Sequence, residues 1–152
     1  MIRKAKIADV IEIQKMLRDF AQSGKLLARP LSELYTHLRD MLVYVDGDSD
    51  EVIGCCSLHI VWENLAEVRS LAVVESHQGR GIGRELVKAC IVEARELGIG
   101  RLFTLTYEVD FFQHVGFRPA DKNQFPQKVW VDCLQCPKFP NCDETALVLD
   151  IE

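Results

Sequence analysis

The sequence predicts an α/β fold, a mixed central β-sheet flanked by helices on both faces. Three observations carry that prediction. Apolar residues recur at helical spacing in two well-separated stretches, around Val10 to Phe20 and Ile82 to Leu97. Short runs rich in β-formers lie between and after them. Glycine, proline and aspartate clusters separate the runs at short intervals. The resulting order is strand, two helices, three strands, helix, strand, helix, strands, which suits a mixed sheet covered by helices.

Each element has its own signal. Ile2 to Ala5 reads as a first strand, and Asp9 stands where a helix N-cap belongs, just before Val10, Ile13, Leu17 and Phe20. Gly24 ends that helix or the loop after it. Pro30 and Ser32 open a shorter helix with Leu34 and Leu38 on one side. Strands Leu42 to Val45 and Val52 to Val61 flank a turn at Asp46-Gly47-Asp48-Ser49-Asp50, and a further strand runs from Ala66 to Val74. The long helix carries Ile82, Leu86, Val87, Cys90, Ile91, Ala94 and Leu97 as its apolar stripe, and Gly98 closes it. Strand Leu102 to Thr106 follows, then a short aromatic helix around Phe111 and Phe112 that ends at Gly116-Phe117. The last strands are expected near Val129 and over Ala146 to Leu149. With 152 residues and no internal repeat, the chain is read as a single domain over 1–152.

Composition narrows the function. The net charge of −5 argues against nucleic acid as a partner, because neutralising phosphates needs a basic face. No apolar run reaches the roughly 18 residues of a membrane span, and the N-terminus lacks the apolar core of a secretory signal, so a cytoplasmic location without membrane attachment is expected. In that setting the six cysteines are read as thiols or metal ligands rather than disulfides, with Cys90 in the core.

The key feature is a strand, then Gln78-Gly79-Arg80-Gly81-Ile82-Gly83, then a helix. Helix N-termini offer unpaired N–H groups and a partial positive charge, and glycines let a phosphate come close to the backbone. The loop is therefore read as a pyrophosphate cradle. Its spacing is not the G-x-G-x-x-G of a dinucleotide site, and it lacks the G-K-[ST] ending of a P-loop. A plain tight turn is the remaining alternative.

Val68 to Val74 followed by Gln78 to Gly83 resembles the acetyl-CoA motif of the GNAT superfamily, Q/R-x-x-G-x-G/A, with Gln78, Gly81 and Gly83 at the fixed positions. Phe111-Phe112-Gln113-His114-Val115-Gly116-Phe117 is similar to that family's later F-Y-x-x-x-G-F signature. The resemblance implies the GNAT fold and acetyl-CoA as cosubstrate. The backbone of Leu71, Ala72 and Val73 would then bind the pantetheine arm, and the N–H groups of Gln78, Gly79, Arg80, Gly81, Ile82, Gly83 and Arg84 would hold the pyrophosphate, with charge added by Arg80 and Arg84.

Amine acetylation needs a group to take the amine's proton and a donor where charge develops on the thioester oxygen. Glu67, on the strand lining the expected cleft, is the candidate base. Alternation puts Glu67, Arg69 and Leu71 on one side of that strand and Val68, Ser70 and Ala72 on the other, so both sets reach one cleft only across a bulge. Phe112 occupies the position where the family often carries an acidic tyrosine, which leaves Thr106 and Tyr107 as candidate acids.

The stretch Gly24 to Leu34 and the strand Arg101 to Thr106 resemble those of amino-acid N-acetyltransferases, the N-acetylglutamate synthases of arginine synthesis. The tail Phe125 to Trp130 with its cysteines resembles a short, stand-alone branch, so feedback by arginine through an amino-acid-kinase domain is not expected. The implied substrate is glutamate. Arg29 would grip one carboxylate, Lys128 or Arg69 the other, with Ser70 and Leu105 nearby. Two alternatives stay open: another small amine or a protein N-terminus as acceptor, and an acyl-CoA-binding regulatory subunit without turnover. A homodimer is a further expectation of the resemblance. Cys133, Cys136 and Cys142 form a candidate zinc knuckle, with Asp132, Asp143 or His114 as a fourth ligand, although a proline-rich loop with packed thiols explains them as well. His37, His59 and His77 show no ligand spacing.

Overall fold

The amphipathic patterns fold into the expected layers in a computed structural model, which describes residues 1–22, 29–122 and 144–151. Among the described residues seven strands form one sheet: β1 (Ile2–Lys4), β2 (Met41–Val45), β3 (Val52–Trp62), β4 (Leu65–Val73), β5 (Arg101–Thr106), β6 (Arg118–Pro119) and β7 (Thr145–Asp150). Their order is β1-β2-β3-β4-β5-β7-β6. Every pairing is antiparallel except β4 with β5, which are joined by the crossover helix α3 (Ile82–Leu97). The remaining helices are α1 (Val10–Gln22), α2 (Leu31–Thr36) and α4 (Val109–Val115).

Adjacent residues on one strand enter different cores, which places the helices on opposite faces. Val43 and Cys55 pack with Val10, Ile13, Met16 and Leu17 of α1. Leu42 and Cys56 pack with Leu86, Val87, Cys90 and Ala94 of α3. A smaller cluster of Leu65, Phe103, Ala146 and Val148 fills the sheet beyond α1. Gly54 lets α3 settle on the sheet, because a Cβ there would stand 3.1 Å from Leu86 Cδ1 and 3.3 Å from Ile82 Cγ2.

Several expectations are corrected. Asp9 does not cap α1. It ends a 3₁₀ turn over Ile7–Asp9, where its carboxylate accepts the Lys6 N–H at 2.7 Å and a bidentate pair from Arg3 at 2.7 and 3.0 Å. Leu38 lies beyond α2 in a second 3₁₀ turn, Leu38–Asp40. Leu97, expected in the apolar stripe, is 55% exposed, so the buried face of α3 ends at Ala94. β6 was not anticipated; it is two residues long and contains a proline, which suits a sheet edge. The strand expected near Val129 lies outside the described residues.

Candidate functional site

The site is built where β4 breaks its own alternation. Cys55 pairs with Ala72 and Ser57 with Arg69, so a single β3 residue, Cys56, faces both Ser70 and Leu71. Ser70 takes φ 56°, a left-handed conformation that a non-glycine residue adopts only when its surroundings impose it. The bulge reverses the parity of the strand. Ala66 and Val68 before it and Val73 after it share the α3 core, while Ala72 joins the α1 core. Arg69 and Ser70 both reach the α1–α2 side, as a bulged strand requires, whereas Leu71 packs toward α3.

The same stretch of β4 parts from β5. Pairing between them runs only from Leu65↔Arg101 to Glu67↔Phe103. The Thr104 hydroxyl then donates to Val68 O at 2.8 Å, a side chain substituting for the next ladder bond. The backbone of β4 from Arg69 to Val73 therefore faces a gap in the sheet, an edge able to hydrogen-bond an extended amide-bearing ligand.

At the end of that gap lies the glycine loop. After a 3₁₀ turn at Glu75–His77, Gln78 Nε2 donates to Val73 O at 3.0 Å and ties the loop to the strand. The Gln78 N–H donates to Glu75 O, so this residue braces the cradle instead of presenting its amide. Gly79 and Gly81 have φ near 80°, and a Cβ on either would meet nothing within 4 Å, so the loop opens outward. The first amides of α3, at Ile82, Gly83 and Arg84, precede the first intrahelical acceptor bond, made by Glu85 N to Gly81 O at 3.0 Å. A Cβ on Gly83 would stand 3.4 Å from the Phe111 ring of α4, and Arg80 and Arg84 stand exposed beside the loop. Open glycines, three helix-terminal amides and two arginines form a cradle that fits a pyrophosphate.

On the α1–α2 side, a cleft is lined by Arg29, Glu33, Leu34, His37, Met41, Ser57, Arg69 and Ser70. Arg29 Nη1 lies 3.5 Å from Glu33 Oε1, and Arg69 Nη1 lies 3.6 Å from Glu67 Oε1. Both partners of the second pair are largely buried, at 9 and 12% side-chain exposure, so Glu67 is held in the wall of the sheet beside the cleft. Of the expected substrate residues, the structure brings Arg29, Arg69 and Ser70 together. Leu105 is not among them; it packs beside Phe103 on the cluster beyond α1. Glu33, His37, Met41 and Ser57 were not anticipated, though Glu33 lies one helical turn after Arg29 and Ser57 pairs directly with Met41.

Thr106 is buried and its Oγ1 accepts the Glu108 N–H at 2.9 Å, so its hydroxyl serves the turn that leads into α4. Tyr107 follows it, half-buried, at the end of β5. Phe112 is buried in the α3 core, edge-to-face with Phe111 and with Phe117. Lys128 and the cysteines at 133, 136 and 142 lie outside the described residues. The other three cysteines are all buried. Burial pushes the Cys55 thiol up to about 12. The Cys90 hydrogen bond, together with burial, pushes Cys56 well up. None of these three is suited to act as a nucleophile. His37 and His59, which show no sequence spacing, in fact meet around Asp40. Among the described residues no helix is long and apolar enough to cross a membrane.

Comparison with known proteins matches residues 11–117 to the acetyltransferase (GNAT) family. An N-acetyltransferase of Chlorobaculum tepidum is 39% identical over 147 residues, covering 97% of this chain and 94% of that one. An amino-acid acetyltransferase of Mycobacterium tuberculosis is 36% identical over 119 residues, covering 77% and 67%. Among solved structures, a Mycobacterium tuberculosis protein in complex with CoA and a second ligand superposes with TM-score 0.88 at 27% identity, covering 100% of this chain and 99% of that one. N-acetylglutamate synthase from Neisseria gonorrhoeae, complexed with coenzyme A and N-acetyl-glutamate, gives TM-score 0.89 at 26% identity over all of this chain, which spans 35% of that one. With the glycine cradle, the parted strands and the family match in agreement, the chain belongs to the GNAT acetyltransferase family and is an acetyl-CoA-dependent N-acetyltransferase.

Proposed function

We propose that this enzyme acetylates the α-amino group of an amino acid, with L-glutamate as the preferred acceptor, and that the product serves arginine biosynthesis. The observation that carries this reading is the convergence of Arg29 and Arg69 on one cleft, with Ser70 of the β4 bulge between that cleft and the parted strands. Two guanidiniums in one cleft suit a substrate with two carboxylates. The internal pairs with Glu33 and Glu67 keep both arginines charge-balanced until such a substrate displaces or shares them.

In this reading, the gap beside Arg69 to Val73 receives the pantetheine arm, and the amides of Gly79 to Arg84 receive the pyrophosphate. This directs the thioester toward Ser70 and the cleft. Arg29 and Arg69 hold the carboxylates and orient the amine. Glu67 accepts the amine's proton directly or through one water, which frees the lone pair for attack on the thioester carbonyl. A backbone N–H of the β4 edge stabilises the developing oxyanion. In this reading Tyr107, half-buried just beyond β5, is the acid that meets the departing thiolate; Thr106 is buried, with its Oγ1 held by the Glu108 N–H. The acetyl group passes directly from thioester to amine. The buried, high-pKa thiols of Cys55 and Cys56 support the absence of an acyl-cysteine intermediate at those positions.

The test is acetyl-CoA consumption against a panel of amino acids, with Arg29→Ala alongside. The reading expects turnover with glutamate and a fall in kcat/KM of about 10- to 100-fold in the variant, the worth of a charge-assisted carboxylate contact. Turnover confined to monocarboxylic or non-amino-acid amines would remove glutamate as the acceptor.

A further inference from the structure

Three side chains outside the acetyl-transfer machinery converge on the rim of the cleft. His37 closes α2, Asp40 ends the 3₁₀ turn Leu38–Asp40, and His59 comes from β3. Asp40 Oδ2 lies 2.8 Å from His59 Nδ1 and 4.0 Å from His37 Nδ1. One ligand atom from each residue falls within 4.8 Å of the others. The two imidazoles stand edge to face with centroids 5.2 Å apart. His37 and Asp40 are three residues apart on a tight turn, which stacks them on one side. That turn is fixed by Asp40 N to His37 O at 3.0 Å and His37 N to Glu33 O at 2.9 Å.

We propose that His37, Asp40 and His59 form a binding site for a divalent transition ion of the zinc class. Two imidazole nitrogens and one carboxylate oxygen are the donor set of borderline ions, whereas calcium and magnesium take oxygen. With zinc–ligand bonds of about 2.0–2.1 Å, donors on a tetrahedron stand about 3.3 Å apart. The two distances to Asp40 Oδ2, 2.8 and 4.0 Å, bracket that edge, and with all three donor atoms within 4.8 Å of one another, rotation of the partly exposed side chains is what closes the site. The 2.8 Å hydrogen bond between Asp40 Oδ2 and His59 Nδ1 is the contact that coordination to the ion would replace. The side chains of His37, Asp40 and His59 are 45, 24 and 21% exposed, which gives an ion a route in and leaves a coordination position for water. Since His37 also lines the substrate cleft, the bound ion fixes that wall of it.

The test is a titration of the chelator-treated full chain with Co²⁺, followed by visible absorption. It is repeated in a Cys133→Ser/Cys136→Ser/Cys142→Ser background so that thiolate ligation cannot contribute. The expected result is saturable d–d absorption without thiolate charge transfer, retained in the serine background. Asp40→Asn and His59→Gln should each weaken it at least about tenfold. Acetyl-CoA binding measured on the same samples should be unchanged in Asp40→Asn, which shows that the fold is intact; if one of the two variants does not fold, the other carries the comparison. Absence of saturable absorption in the serine background, or a titration unaltered by both substitutions, would overturn the site and leave an ordinary hydrogen-bonded triad. Neither result bears on glutamate as acceptor, because the readout is metal binding and not turnover.

Discussion

At the scale of single residues, the account depends on which charges meet. Arg29 was named through the resemblance of the Gly24 to Leu34 stretch to amino-acid N-acetyltransferases, and the structure places it in the same cleft as Arg69. Glu67 was named for its strand, and alternation already put it on the side of Arg69; the burial of the pair was not readable, because it depends on what packs around that part of the sheet. On this basis Glu67→Gln should lower kcat by about 10²–10⁴-fold with little change in the KM for acetyl-CoA. Rate measurements across pH would check it, since an alkaline rescue of the variant is the expected signature of a lost base. Asp9 illustrates the opposite case. An aspartate before an apolar run looks like a cap, but the nearby Arg3 captures it. The Arg3 hydrogen bonds hold the Asp9 carboxyl below the usual carboxylate range. A depressed folded pKa contributes stability that is present above the unfolded value near 4, and is lost as pH falls through the depressed folded value. Asp9→Asn should therefore cost about 1–2 kcal/mol at neutral pH, allowing for the partial exposure of Arg3, and nothing once both forms are protonated. Chemical denaturation at neutral and acid pH measures the difference.

At the scale of elements, the decisive feature is the interrupted strand. Alternation along β4 could be read from the sequence, and so could the need for a bulge. Its position at Ser70 and Leu71 could not, because it is fixed by the partner residue Cys56 across the sheet. The glycine loop was legible because its chemistry is local. What the sequence did not show is that Gln78 spends its own amide on Glu75 and braces the loop through its side chain. Gly81→Ala places a Cβ at φ 80°, at a strain of about 1–2 kcal/mol, with no steric clash to add to it. The KM for acetyl-CoA should rise in that variant before kcat falls. Gly54→Ala acts by a different route. Its Cβ presses on Leu86 and Ile82 and should cost about 1–2 kcal/mol through overpacking, lowering Tm by roughly 2–8 °C. Thermal unfolding with and without acetyl-CoA separates the two glycines, since only Gly81→Ala should also weaken the stabilisation that ligand confers.

At the scale of the whole molecule, apolar cores cover both faces of one sheet while β4 and β5 pair only as far as Glu67 and Phe103, and the proposed function puts the acetyl-CoA arm in that opening. The order of the main elements was readable from periodicity and turn residues, the two-residue β6 apart. The meeting of His37, Asp40 and His59 was not, because a turn and a distant strand come together only through sheet pairing. The same holds for the cleft, whose walls come from α2, β2, β3 and β4. Its two arginines lead to the central claim that the acceptor is glutamate. The most direct measurement is a competition in which the enzyme meets acetyl-CoA and an equimolar mixture of the amino acids, with products identified by mass spectrometry. N-acetylglutamate as the dominant early product is the predicted result. Dominance of a different acetylated amino acid, or release of CoA without any acetylated amino acid, would contradict it.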